Sequence, residues 1–117
     1  MEKWALVPAV QGTEALVDRI GKDYGKIVLV YVVDSNADLP TASVGTAIKK
    51  AEDRIELIKG TLTAKEIIVK DYIEWGSWID KLKAIMRIEQ CDEVLVPKEL
   101  SSLAKNLKKE KLKVTEL

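Results

Sequence analysis

Asp34, Asp38, Asp71 and Glu74 gather at the carboxyl ends of strand-like stretches, and carboxylates so placed suggest a magnesium site or the acids of a small hydrolase or transferase. A hard cation needs a converging cage of oxygens or a substrate phosphate, and the same residues serve as turn formers and solvated loop, so no metal is assigned to them. The sequence has no histidine and one thiol, Cys91. Zinc ligand sets and the commonest neutral-pH acid–base group are therefore missing, and no motif of nucleophile and base replaces them. No catalytic residue is assigned, and no cofactor is expected. Trp75 and Trp78 bracket Gly76-Ser77, where a ring can cover a pocket, stack on a flat ligand, close core or meet a partner.

The elements that must position these residues follow from the apolar pattern. Trp4 to Val10 is a nearly continuous apolar run, as in a strand covered on both faces. Gln11-Gly12-Thr13 breaks it. Ala15, Leu16 and Ile20 then recur at helical spacing, with Thr13 or Gly12 as cap and Gly21 and Gly25 at the exit. Ile27 to Val33 is rich in β-branched residues and predicts the central strand. After a polar connection, Val44, Ile48, Ala51, Ile55 and Ile58 advance by steps of four and three along one helix face, which Gly60 is expected to end.

Glu66 to Tyr72 predicts a third strand. Ser77 with Asp80 has the spacing of a capping box, ahead of a helix with Ile79, Leu82, Ile85 and Met86 on its inner face. Asp92 to Val96 predicts a fourth strand, broken by Pro97-Lys98-Glu99. Leu100, Leu103, Ala104 and Leu107 pattern a last helix, and Leu112 and Val114 alternate with Lys111 and Lys113 in a short fifth strand. Strands alternating with helices call for a parallel sheet, since each helix supplies the crossover that parallel neighbours need. The expected fold is a three-layer α/β/α sandwich around a five-stranded, doubly wound sheet, one domain over residues 1–117.

This order resembles the universal stress protein family. The matching pieces are Leu6-Val7-Pro8 and Gly12-Thr13-Glu14 for its first strand and turn, Val30 to Asp34 for its second strand, and Asp92 to Val96 for its fourth. The resemblance implies a ligand crevice at the carboxyl ends of the first and fourth strands, bordered by Gln11, Gly12, Thr13, Val32, Pro97 and Lys98. It also implies an aspartate after the first strand and a glycine-rich phosphate loop after the fourth in members that bind ATP. Here Gln11 and Pro97-Lys98-Glu99-Leu100-Ser101-Ser102 stand at those places, with no glycine to the end of the chain. Proline has no N–H for a phosphate, and a carboxylate at Glu99 competes for the position an anion would take. The expectation is a non-enzymatic regulatory or interaction module without ATP binding; the alternative is a degenerate small-ligand pocket in that crevice.

Lysine plus arginine and aspartate plus glutamate both total 19, so no global field draws the chain to nucleic acid or a membrane, and only a local patch remains open. The resemblance implies a homodimer through the last strand, with Leu112 and Val114 at the paired edge, and a further protein partner is left open. The opening Met1-Glu2-Lys3-Trp4 lacks the apolar core of a secretory signal, and with a single cysteine this points to the cytoplasm.

Overall fold

The computed structural model describes residues 3–9, 13–21, 23–33 and 41–117, with residues 33 and 41–47 described as backbone alone. Its elements are β1 (Lys3–Pro8), α1 (Glu14–Val17), β2 (Tyr24–Val33), α2 (Thr41–Ala64), β3 (Ile68–Trp75), α3 (Trp78–Glu89), β4 (Glu93–Val96), a 3-10 turn (Lys98–Leu100), α4 (Ser101–Lys109) and β5 (Val114–Glu116). The sheet runs β3-β2-β1-β4-β5 and every pairing is parallel. The winding reverses between β1 and β4, which opens a crevice beyond their carboxyl ends. The three-layer, doubly wound sandwich expected from the sequence is the fold observed.

The central strands are apolar on both faces because both are covered. Ala5, Val7, Ile27 and Leu29 pack under α1 and α2 with Leu16, Ile55, Ile58 and Leu62. Leu6, Val28, Val30 and Val94 pack under α3 and α4 with Leu82, Ile85, Ala104 and Leu107. No helix among the described residues is long and apolar enough to cross a membrane.

Several boundaries differ from the expectation. Gly60 lies inside α2, which runs on to Ala64, because Leu62 extends the stripe of Ile55 and Ile58 and is fully buried. A buried leucine contributes about 1.5–3 kcal/mol, which outweighs the ~1 kcal/mol an interior glycine costs. Gly25 lies within β2 rather than at a helix exit. Lys3 pairs with Tyr24 and Trp4 with Lys26, so Gly25 is the extra residue of a bulge, a position glycine tolerates well. β3 is an edge strand whose charged face hides its length, and it runs on past Tyr72 to Trp75. Leu112 precedes β5, and Leu112 and Val114 both pack their side chains on the α3/α4 core.

Candidate ligand crevice at the strand ends

β1 ends at Pro8, and the buried Thr13 turns its hydroxyl back to donate to the Pro8 carbonyl at 2.7 Å. Thr13 has helical backbone angles, φ −64° and ψ −24°, and its side chain does not cap α1. An extended backbone is what normally swings such a hydroxyl onto the first amides. Thr13 therefore secures the turn rather than the helix end. Gln11 and Gly12, the other residues expected on this side, lie outside the described residues, as do Asp34 and Asp38. Val32 is buried among Val28, Val30 and Leu82, so its side chain fills the core.

Across the crevice, Pro97 is buried in extended backbone and opens the 3-10 turn. Two of the turn's amides are engaged within the chain: Lys98 N–H donates to the Leu117 carbonyl at 3.0 Å, and Leu100 N–H to the Pro97 carbonyl at 2.9 Å. The Lys98 side chain is exposed. Arg19 donates from one guanidinium nitrogen to Glu99 Oε1 at 2.8 Å and to the Leu117 carbonyl at 2.9 Å. This hydrogen bond and charge lower the Glu99 carboxyl below its ordinary range and raise Arg19. The pair joins residues 80 apart in sequence, and no local spacing announces it.

An anion cradle needs converging, uncommitted N–H groups and a backbone able to approach the oxygens. Here a proline and two engaged amides line the loop, and the nearby guanidinium already holds a carboxylate. A second unit negative charge ~4 Å from Glu99 meets roughly 4 kcal/mol of repulsion at an effective dielectric near 20, before Arg19 offsets part of it.

The remaining candidates are scattered. Trp75 ends β3 and is half exposed. Gly76 follows at φ +132°, a conformation that favours glycine, and sends the chain into α3. Ser77 is extended at the start of α3 but gives no side-chain cap; its carbonyl accepts from Lys81 N–H at 3.0 Å, so the capping-box expectation fails. The Trp78 ring meets Tyr31 edge-on, with centroids 6.1 Å apart, and lines a cavity between α3 and α4. Asp71 is mid-strand in β3, where it accepts from Lys59 at 3.3 Å, so it does not belong to a loop cluster. Among the described residues no group of three histidine, cysteine or acidic side chains converges to hold a metal.

Two buried carboxylates went unnoticed in the sequence. Glu89 accepts from Lys70 at 2.6 Å, Lys26 at 3.1 Å and Tyr72 at 2.9 Å. Glu93 accepts from the Tyr24 and Thr115 hydroxyls. Glu93 opens β4, and Glu89 ends α3 against Lys26 and Lys70 near the starts of β2 and β3, away from the crevice.

No protein-family model and no curated protein matches the sequence. Solved structures do. The hypothetical protein MJ0577 superposes with a TM-score of 0.80 at 20% identity, covering 100% of this chain and 96% of that one. The hypothetical protein PH0823 gives 0.71 at 18% identity, with the same coverage of 100% and 96%. A universal stress protein crystallised in complex with cAMP gives 0.62 at 16% identity, covering 99% and 96%. Identities this low establish a shared fold, over essentially the whole of each chain, that includes a universal stress protein.

Proposed function

We propose that the chain is a regulatory or interaction module of the universal stress type, non-enzymatic, homodimeric, cytoplasmic and without ATP binding. The carrying observation is the loop after β4. Its Lys98 and Leu100 amides are engaged, Pro97 offers none, and Glu99 sits on Arg19 where a phosphate would need the positive charge. The homodimer reading rests on β5, an edge strand that among the described residues pairs only with β4. Successive residues of a parallel ladder point their amides to alternate sides, and Lys113 and Leu117 bond toward β4. Val114 and Glu116 therefore direct backbone groups outward, where a second β5 can pair across a two-fold axis. Leu112 and Val114 support that edge from below by anchoring it to the core.

Calorimetry and thermal shift with AMP, ADP and ATP at millimolar ligand test the first half, and heat with a coincident stabilisation overturns it. Light scattering after size exclusion tests the second. A mass of 13.1 kDa at high concentration, rather than twice that, removes the dimer. The second reading, a small ligand at the ends of β1 and β4, is favoured by the cAMP bound to one protein of this fold. Mass spectrometry of small molecules released from the gently denatured protein decides between the two.

A further inference from the structure

Leu117, the residue after β5, ties the outer edge of the sheet to the turn that borders the crevice. Its N–H donates to the Val96 carbonyl at 3.0 Å, its carbonyl accepts from Lys98 N–H at 3.0 Å and from Arg19 at 2.9 Å, and its side chain packs under α1 and α2. A trans peptide is planar, and its C=O and N–H point in opposite directions. The plane between Glu116 and Leu117 therefore has its N–H on Val96 and its C=O aimed away from β4, across the outer edge. The plane between Lys113 and Val114 is reversed: its C=O accepts from Val94 N–H at 2.9 Å, and the Val114 N–H points outward. An outward donor at Val114 and an outward acceptor at Glu116 match when a second β5 runs antiparallel about an axis at Thr115. The hydrogen bond that such pairing adds falls on the same peptide plane that holds Leu117.

We propose that Leu117 is a strap through which the β5 edge sets the state of the crevice turn. A second copy on the edge holds the turn closed, and release of the strap frees the Lys98 amide and Arg19. This coupling rests on the homodimer half of the module reading. Pairing requires the 116–117 plane to be in place, so it favours the strapped form over the released one. By linkage, release weakens pairing by the same factor. Arg19 sets the strength of the strap in the single chain, because its guanidinium holds the Leu117 carbonyl from beyond α1, away from the β5 edge. Glu99 accepts from the same guanidinium nitrogen at 2.8 Å and keeps it aimed at that carbonyl. Leu100 N–H bonds inside the turn, to Pro97, and does not depend on the strap.

The test is amide hydrogen exchange of the full, isotopically labelled chain, read by NMR at protein concentrations on either side of the dimer transition that light scattering locates. The Lys98 and Leu117 amides should open together and slow about tenfold from single chain to dimer, while Leu100 changes little. Arg19→Gln, at an exposed position, should speed both amides in the single chain about fivefold, the worth of one ordinary hydrogen bond. The dimer should restore most of that protection. If the variant does not fold, the wild-type concentration series decides alone. Unrelated rates at Lys98 and Leu117, rates that ignore the dimer transition, equal slowing at Leu100, or unchanged exchange in a folded Arg19→Gln each overturns the strap and leaves the dimer standing. A single chain at every concentration removes the homodimer reading and the coupling with it.

Discussion

Glu89→Gln removes one charge and keeps the side chain's shape, so it isolates what the buried carboxylate contributes. Glu89 is 5% exposed and accepts from Lys70, Lys26 and Tyr72. The Lys70 hydrogen bond leads, with Lys26 and Tyr72 adding to it against the cost of burial, and together they bring the carboxyl from 4.5 down to about 2. Fully realised, that difference is worth about 3 kcal/mol of stability at neutral pH. The Lys70 side chain is 54% exposed and screened by water, which trims the expectation to about 2 kcal/mol. Lys26, 18% exposed and lying 4.7 Å from the centre of the Trp4 ring, loses its only ion-pair partner among the described residues.

The pH dependence carries the sharper test. A carboxyl held below its unfolded value contributes its full stability above about pH 5 and loses it as the pH falls toward 2. Urea unfolding at pH 7 should place the variant midpoint roughly 1 M below wild type, for a slope near 2 kcal/mol/M. By pH 3 less than half of that gap should survive. Glu93 also sits below its ordinary range and contributes to acid sensitivity in both proteins, so it cancels in the difference. Equal midpoints at pH 7, or a gap that persists undiminished at pH 3, would refute the assignment.

Gly60→Ala should raise stability by about 0.5–1 kcal/mol, because a Cβ there meets nothing within 4 Å and the position is helix interior; a thermal or urea melt reads it. Tyr24→Phe should cost about 1.5–3 kcal/mol by urea unfolding, since it strips the phenol from the buried Glu93 carboxylate, an ionised acceptor. Cys91 should react slowly with a chromogenic disulfide reagent at pH 8. Burial and nearby Glu89 push its thiol up to about 11, leaving roughly a thousandth as thiolate. Glu99→Ala should free Arg19 yet leave ATP calorimetrically silent at millimolar ligand; measurable heat would show that Glu99 alone had closed the site.

The layered fold was legible in the sequence because its strands are apolar on both faces and its helices on one. Ile27 to Val33 and the Ile55–Ile58 stripe each carry their period openly. Gly60 misled because helix propensity is a small local preference, and the burial of Leu62 that overrides it is visible only when the stripe is followed past the glycine. Charged side chains along the β3 edge concealed its extent, since an edge strand has one face and one side open to water. The candidate site was less legible. The missing glycines after β4 could be read directly, but the Arg19–Glu99 pair could not, because two charged residues far apart in sequence look like ordinary surface. Glu89 was hidden for the opposite reason: in a helix pattern an acid next to Ile88 suggests water, while in the fold Ile88 is 71% exposed and Glu89 turns inward.

The loop after β4 and the edge strand behave as one unit. Leu117 N–H donates to the Val96 carbonyl, and the Leu117 carbonyl accepts from both Lys98 N–H and Arg19. The residue just beyond β5 thus engages the first amide of the turn. Freeing the Lys98 amide for an anion requires Leu117 to let go, at the expense of several hydrogen bonds of about 1 kcal/mol each and of Leu117's packing under α1 and α2. Removing the charge of Glu99 leaves these backbone hydrogen bonds in place. A second copy pairing with the outer edge of β5 would order the same residues further, and so tighten the loop.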